Sequence, residues 1–199
     1  MTDIVGADEA IARLRHGLVV AVPTDTVYGL AAALVQSEAV ATLFRLKRRP
    51  TSVPLPVLVS DREAIEALGV PWPAAAARLS AEFWPGALTI VVGVDAQLAS
   101  SVGGRGSIGF RIPRDEMLLR VLNECGPLAV SSANEHGEPP CQSVEQVVAA
   151  LGSNELLSAV LDGGPRQGEV STVVEVGPDS WHILRAGSIS AEAIVRVLA

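Results

Sequence analysis

The chemistry-bearing residues of this chain gather where apolar runs end. In "VVAVPTDTVYGLAAA", residues 19–33, a strand-like run gives way to Thr24, Asp25, Thr26 and Tyr28. Two hydroxyls, together with the backbone N–H groups of a turn, suit a small polar or anionic ligand. Asp25 reads as an organiser of that turn rather than a base, because no histidine follows it closely. Tyr28 fits either as a ring packed over a ligand or as a half-buried core residue. Further on, "RLKRRP" places four of the chain's fifteen basic residues within five positions, among them its one lysine. If a turn before Pro50 aims Lys47 and Arg49 at one polyphosphate, the lysine serves as a point charge and the arginine as a fork for non-bridging oxygens. Arg45 and Arg48 read as solvated neighbours at a helix end, where the dipole favours cations.

Three later segments add polar groups. Arg111 in "IGFRIP" stands inside an apolar strand, where a guanidinium needs an anion; a structural carboxylate and a ligand both answer that need. "AVSSANEHGEPP", residues 129–140, ends another apolar run in Ser131, Ser132 and Asn134, which can hold ribose, adenine or phosphate by neutral hydrogen bonds. With no G-x-S-x-G elbow, a serine nucleophile is the weaker reading, and His136 reads as an exposed turn residue. "GEVSTVVEV" brings Ser171 to a strand entry, and "HILRAGSIS" puts Arg185 beside a glycine turn. The sequence contains no HExxH, no P-loop and no zinc spacing, so no protein-held metal is expected. "GGRG" at 103–106 lacks the lysine and length of a phosphate loop.

The elements that must position these groups alternate. Asp8 is a candidate cap for a helix with Ile11, Leu14 and Leu18 on one face, ended by Gly17. Strands are expected at 18–22, 54–59, 87–94, 108–113, 127–132 and 171–176. Helices are expected from Ser37 to Lys47, after a Ser60/Glu63 capping box, from Pro73 to Glu82, over Met117–Leu122, after a Ser143/Gln146 box and from Ser190. "SSVGGRGS", residues 100–107, reads as a mobile loop or lid. Some connections are too short for helical crossovers, so the fold class is mixed α/β (α+β) around a twisted, partly antiparallel sheet flanked by helices. No repeat or linker divides the chain, and residues 1–199 read as a single domain.

At 199 residues and 49% apolar, the chain can bury a sizeable core. Its net charge of -7 opposes a broad nucleic-acid or anionic-membrane surface while leaving room for a focused cationic pocket. Two cysteines without metal spacing, no signal-peptide core and no run of transmembrane length make the cytoplasm the expected compartment, with no membrane partner.

Taken in order, "PTDTVYGLAA", "LKRRP", "PLPVLV", "FWPGALTIV", "IGFRIP", "PLAVSSAN..GEPP", "STVVEV" and "ILRAGSI" resemble the YrdC/TsaC family of threonylcarbamoyl-AMP synthases, across roughly residues 18–190. The resemblance implies a YrdC-like catalytic domain with a large concave cavity, in the family's short form. It implies L-threonine, bicarbonate and ATP as substrates, magnesium (Mg2+) arriving on ATP, and threonylcarbamoyl-AMP and pyrophosphate as products. Thr24, Thr26 and Tyr28 then fall at the threonine pocket and Lys47 and Arg49 at the ATP phosphates. Arg111 places substrate, Ser131, Ser132 and Asn134 form the nucleotide wall, and Ser171 and Arg185 are later ATP contacts. A downstream tRNA threonylcarbamoyltransferase complex is the implied partner, with direct tRNA contact left open. An RNA-binding module and a carbamoyl-transfer domain are the alternatives. The chain departs from many relatives in having Val53 where they carry an asparagine before the central "PL", and Leu58 or Val59 where a histidine follows.

Overall fold

The computed structural model describes residues 2–50, 52–135 and 137–199, so the expectation for His136 lies outside the described residues. The strands are β1 (Asp3–Val5), β2 (Val19–Val22), β3 (Gly29–Ala33), β4 (Val57–Leu58), β5 (Leu88–Gly93), β6 (Ser107–Arg111), β7 (Leu128–Ser132), β8 (Leu157–Leu161), β9 (Thr172–Val176) and β10 (Trp181–Arg185). The helices are α1 (Ala7–Arg15), α2 (Ser37–Lys47), α3 (Arg62–Ala67), α4 (Ala74–Phe83), α5 (Ala96–Ser101), α6 (Glu116–Cys125), α7 (Val144–Leu151) and α8 (Ala191–Leu198). Among the described residues the strands form one sheet in the order β1-β8-β2-β3-β7-β4-β6-β5-β9-β10. β1, β8 and β2 run parallel, and β2, β3, β7 and β4 alternate. β4 pairs parallel with β6, and β5 joins β6 antiparallel and β9 parallel. This is the mixed, partly antiparallel sheet that the short connections predict.

The central strands are apolar along their whole length because both faces are covered. Val19, Ala21, Leu30 and Ala32 pack with Leu43 and Phe44 of α2 on one face. Val20, Val22, Ala31 and Ala33 pack with Leu14 of α1 and Leu118, Val121 and Leu122 of α6 on the other. β4 is the narrowest member: Val57 and Leu58 alone pair with Phe110 and Arg111 on one side and with Ala129 and Leu128 on the other. Those two residues join a block of five strands to a block of four.

Several local expectations are corrected. Asp8 lies within the first turn of α1 behind Gly6, where its charge meets the dipole but caps nothing, and Leu18 is outside the helix and 44% exposed. Asp61, not Ser60, caps α3 by accepting from Ala64 N at 2.8 Å, while the Ser60 hydroxyl donates to Asp61. The strand expected at 54–59 is two residues long, since Pro54 and Pro56 cannot donate to a ladder. The 100–107 segment is packed rather than lid-like: Ser100 and Ser101 finish α5, and Val102 is buried and accepts from Leu55 N at 2.9 Å. Arg185, expected beside a glycine turn, is the last residue of β10. Ser143 and Ser190 cap α7 and α8 as expected. No helix among the described residues is long and apolar enough to cross a membrane.

Candidate functional site

The turn between β2 and β3 is closed by one hydroxyl. Thr24 Oγ1 accepts from the N–H of Thr26 (3.0 Å) and of Val27 (3.2 Å) and gives its single proton to Val27 O at 2.7 Å. Thr24 Oγ1 is then saturated, and either oxygen can be the donor in its 2.9 Å contact with the Thr26 hydroxyl. Thr26 Oγ1 also accepts from Arg111 Nη1 at 3.3 Å. With one lone pair engaged by Arg111, Thr26 Oγ1 keeps a second for a ligand.

Both answers to the Arg111 question meet at the same side chain. Only 5% exposed, it pairs with Asp25 Oδ1 at 2.6 Å and donates from Nε to Gly86 O at 2.9 Å. Burial lowers its pKa, and the Asp25 carboxylate opposes that shift. Asp25 thus holds an arginine across the sheet rather than serving as a base.

Tyr28 is fully buried, and its hydroxyl is used up by the chain: it donates to Gly164 O at 2.9 Å and accepts from Gly163 N at 3.2 Å. Neither the polar tip nor an exposed ring face is left for a ligand, so Tyr28 shapes the cavity wall from within the core. The segment it ties down presses on the turn so closely that a Cβ on Gly168 would stand 2.7 Å from Thr26 Cα.

Lys47 and Arg49 part company because Arg48 between them adopts the left-handed conformation (φ 48°) and turns the chain. Lys47, buried at the end of α2, donates to both the backbone oxygen and Oδ1 of Asn134. Asn134 Oδ1 also accepts from Ser132 at 2.6 Å, and its amide donates to Glu135 O (2.8 Å) and Glu138 O. The Asn134 side chain is therefore saturated, and the pair ties down the carbonyls of Glu135 and Glu138. Burial, then the charge of Arg49, lowers the Lys47 pKa to about 8, with Cys141 acting in the opposite sense. The folded chain sheds this proton near pH 8 and the unfolded chain near the ordinary 10.5, so between those values the unfolded state binds more protons. Stability from this group therefore rises with pH across that window. We expect the unfolding free energy of the wild type to climb relative to that of Lys47→Met from pH 8 to 10 in urea titrations; a flat difference would show that burial leaves Lys47 unperturbed.

A cavity of ≈150 Å³ collects most of the residues singled out from the sequence: Thr24, Thr26, Tyr28, Arg49, Arg111, Ser131, Ser132, Ser171 and Arg185 all line it. Arg49 is steadied by Val53 O (Nε, 2.9 Å) and Pro54 O (Nη2, 3.0 Å). Arg185 grips Ser171 through its backbone oxygen (2.8 Å) and its hydroxyl (2.9 Å). The Ser131 hydroxyl has no hydrogen-bond partner among the described residues, although the residue is 6% exposed. Lys47 is not in this lining; Asn134 lines an adjoining cavity of ≈1100 Å³ that shares Val27 and Val170 with the first. Thr89, hydrogen-bonded to Ser171 at 2.9 Å, also lines the smaller cavity and was missed. Its one signal was a lone polar residue within "ALTIVV".

Three guanidiniums thus face one cavity whose lining contains no Asp or Glu. Burial lowers the pKa of both Arg49 and Arg111, and the charge of Arg185 adds to the shift in each. Such a set holds an oxyanion and repels a metal cation. Among the described residues no group of three or more His, Cys, Asp or Glu could hold an ion.

The model of the Sua5/yciO/yrdC family, described as "Telomere recombination", matches residues 12–187. A Mycobacterium tuberculosis protein is 38% identical over 195 residues, covering 97% of this chain and 89% of its own length. The Bacillus subtilis threonylcarbamoyl-AMP synthase is 37% identical over 194 residues, and there this chain spans 96% of itself but only 56% of the relative. Pyrococcus abyssi Sua5 complexed with L-threonine superposes with a TM-score of 0.87 at 31% identity, over 96% of this chain and 57% of that one. A family match across most of the chain, with relatives this similar along nearly all of it, leads to one conclusion: the chain belongs to the Sua5/YciO/YrdC family.

Proposed function

We propose that this chain is an L-threonylcarbamoyladenylate synthase, converting L-threonine, bicarbonate and ATP to threonylcarbamoyl-AMP, pyrophosphate and water. The observation that carries the proposal is the convergence of Arg49, Arg111 and Arg185 with serine and threonine hydroxyls on one cavity free of lining carboxylates. The names of the Bacillus, Pyrococcus and mammalian relatives, all threonylcarbamoyl-AMP synthases, support it.

The threonine amine attacks carbon dioxide derived from bicarbonate and loses a proton, giving a carbamate. A carbamate oxygen attacks the α-phosphorus of ATP, and pyrophosphate leaves with the bonding electron pair. No protein nucleophile is needed. Arg49 and Arg185 hold phosphate oxygens and offset the charge that grows on the leaving group. Arg111, fixed by Asp25, orients the carboxylate side of the amino acid. Thr26 accepts from a threonine N–H or O–H through the lone pair that Arg111 leaves free. Ser131 donates its free hydroxyl, and Ser132, Asn134 and Ser171 shape the nucleotide wall. Lys47 supports that wall from behind and adds its charge to the field at the phosphates. The three arginines do not fit a protein-held magnesium, so the ion belongs to the ATP substrate.

The reading treats the whole chain as a single catalytic domain working in the cytoplasm, with its adenylate passed to a tRNA threonylcarbamoyltransferase complex. It is tested by incubating the protein with ATP, bicarbonate and magnesium, with and without L-threonine, and measuring pyrophosphate and the labile adenylate. Threonine-dependent release of both is expected. Equal pyrophosphate in the two arms would sink the assignment.

A further inference from the structure

A groove of ≈580 Å³ lies on the far side of Arg49, lined also by Arg45, Arg48, Phe44, Ser100 and Ser101. Arg49 lines this groove and the ≈150 Å³ cavity alike, so the two share that side chain as a wall. The cations here are left unpaired in a chain rich in carboxylates. Arg13, Arg15, Arg62, Arg111, Arg120 and Arg166 each form an ion pair with Asp or Glu. Among the described residues Arg45, Lys47, Arg48 and Arg49 form none. The end of α2 supplies only about half an elementary negative charge, too little to balance four cations. Arg48 lies past the last helical residue, and the groove lining includes no Asp or Glu.

The charged donors available in the groove are guanidiniums. Ser100 and Ser101 give their protons to Gln97 O (2.8 Å) and Leu98 O (2.7 Å) within α5. Arg45 uses Nη2 on Thr42 at 2.7 Å and keeps its other N–H groups. Planar forks, beside a Ser37 hydroxyl uncommitted among the described residues, suit a multiply charged oxyanion with paired non-bridging oxygens.

We infer that this groove is a second anion site that receives inorganic pyrophosphate as it leaves the cavity past Arg49. The inference rests on the synthase reading, which makes pyrophosphate the product. A nucleic-acid backbone is the poorer occupant, because it needs a basic face spread over many phosphates. Here the net charge is -7, and six of the other eleven arginines are tied up in ion pairs.

The test uses Arg45→Gln/Arg48→Gln, which removes charge from two exposed side chains; an unchanged unfolding midpoint confirms the fold. Pyrophosphate is titrated calorimetrically into both proteins without ATP, adenylate formation is followed in a single turnover, and a short RNA duplex is titrated in parallel. The expected result is a pyrophosphate Kd and product-inhibition constant raised by roughly tenfold or more in the variant, with single-turnover adenylate formation unchanged. Unchanged pyrophosphate affinity beside normal adenylate formation overturns the groove and leaves the synthase reading standing. Loss of RNA affinity with pyrophosphate affinity intact overturns it in favour of a nucleic-acid contact. A wild type that makes no adenylate overturns the synthase reading and pyrophosphate as product, whichever way the variant behaves.

Discussion

Replacing Arg49 with alanine is expected to lower kcat/KM for ATP in threonine-dependent pyrophosphate release by about 10²–10³, the range for loss of one preorganised donor at developing charge. The effect belongs to the chemistry and not to folding. Arg49 is half-buried in a loop, and its own contacts are the carbonyls of Val53 and Pro54, which water can serve in its place. Binding of threonine alone should stay close to wild type, since the amino-acid side of the cavity is built from the Thr24–Tyr28 turn. Arg49→Lys should recover only part of the loss, because a single ammonium cannot hold two carbonyls and a phosphate in one plane. Steady-state kinetics with ATP varied at saturating threonine decides the matter. A kcat/KM within about twofold of wild type in folded Arg49→Ala would remove Arg49 from the phosphate site.

Asp25→Ala should act on stability. It leaves Arg111, 5% exposed, with a charge that burial already penalises and no carboxylate to meet it. Loss of one partner from such a buried pair costs about 3–5 kcal/mol. For a chain of this length that corresponds to a fall in Tm of roughly 6–20 °C. Removing both partners in Asp25→Ala/Arg111→Met should restore much of the loss, since the uncompensated charge goes with the arginine. Urea unfolding of the two variants against wild type gives the comparison. A single variant destabilised by less than about 1 kcal/mol would mean that water or Thr26 already satisfies Arg111 without Asp25.

The strands that carry polar ends were legible because each couples an apolar run to a break. Pro23 closes β2, Ser131 and Ser132 end β7, and Arg111 ends β6. β1 and β10 were illegible for a physical reason: as edge strands they bury little, so their residues show no continuous apolar run. β8, "LSAVL", is apolar but too short to be told from a helix segment. At the site, the residue types pointed to the cavity, whereas hydrogen-bond allotment could not be read from spacing. Nothing in "PTDTVYG" says that Tyr28 spends its hydroxyl on Gly163 and Gly164, since that partner comes from 135 residues away. Nor does "RLKRRP" disclose that Arg48 turns left-handed and sends Lys47 to Asn134 while Arg49 faces the cavity. Side-chain allotment depends on long-range contacts, and periodicity reports only which face is inward.

The two-residue strand β4 has a mechanical consequence. Thr26, Tyr28 and Ser131 ride on the five-strand block, while Arg111, Ser171 and Arg185 ride on the four-strand block. The cavity is therefore walled from both blocks, which meet along Val57 and Leu58 and are bridged by the Asp25–Arg111 bond. One apolar core runs on beneath that seam, with Leu30, Val57 and Phe110 in a single cluster, so the two walls keep a fixed spacing around whatever enters.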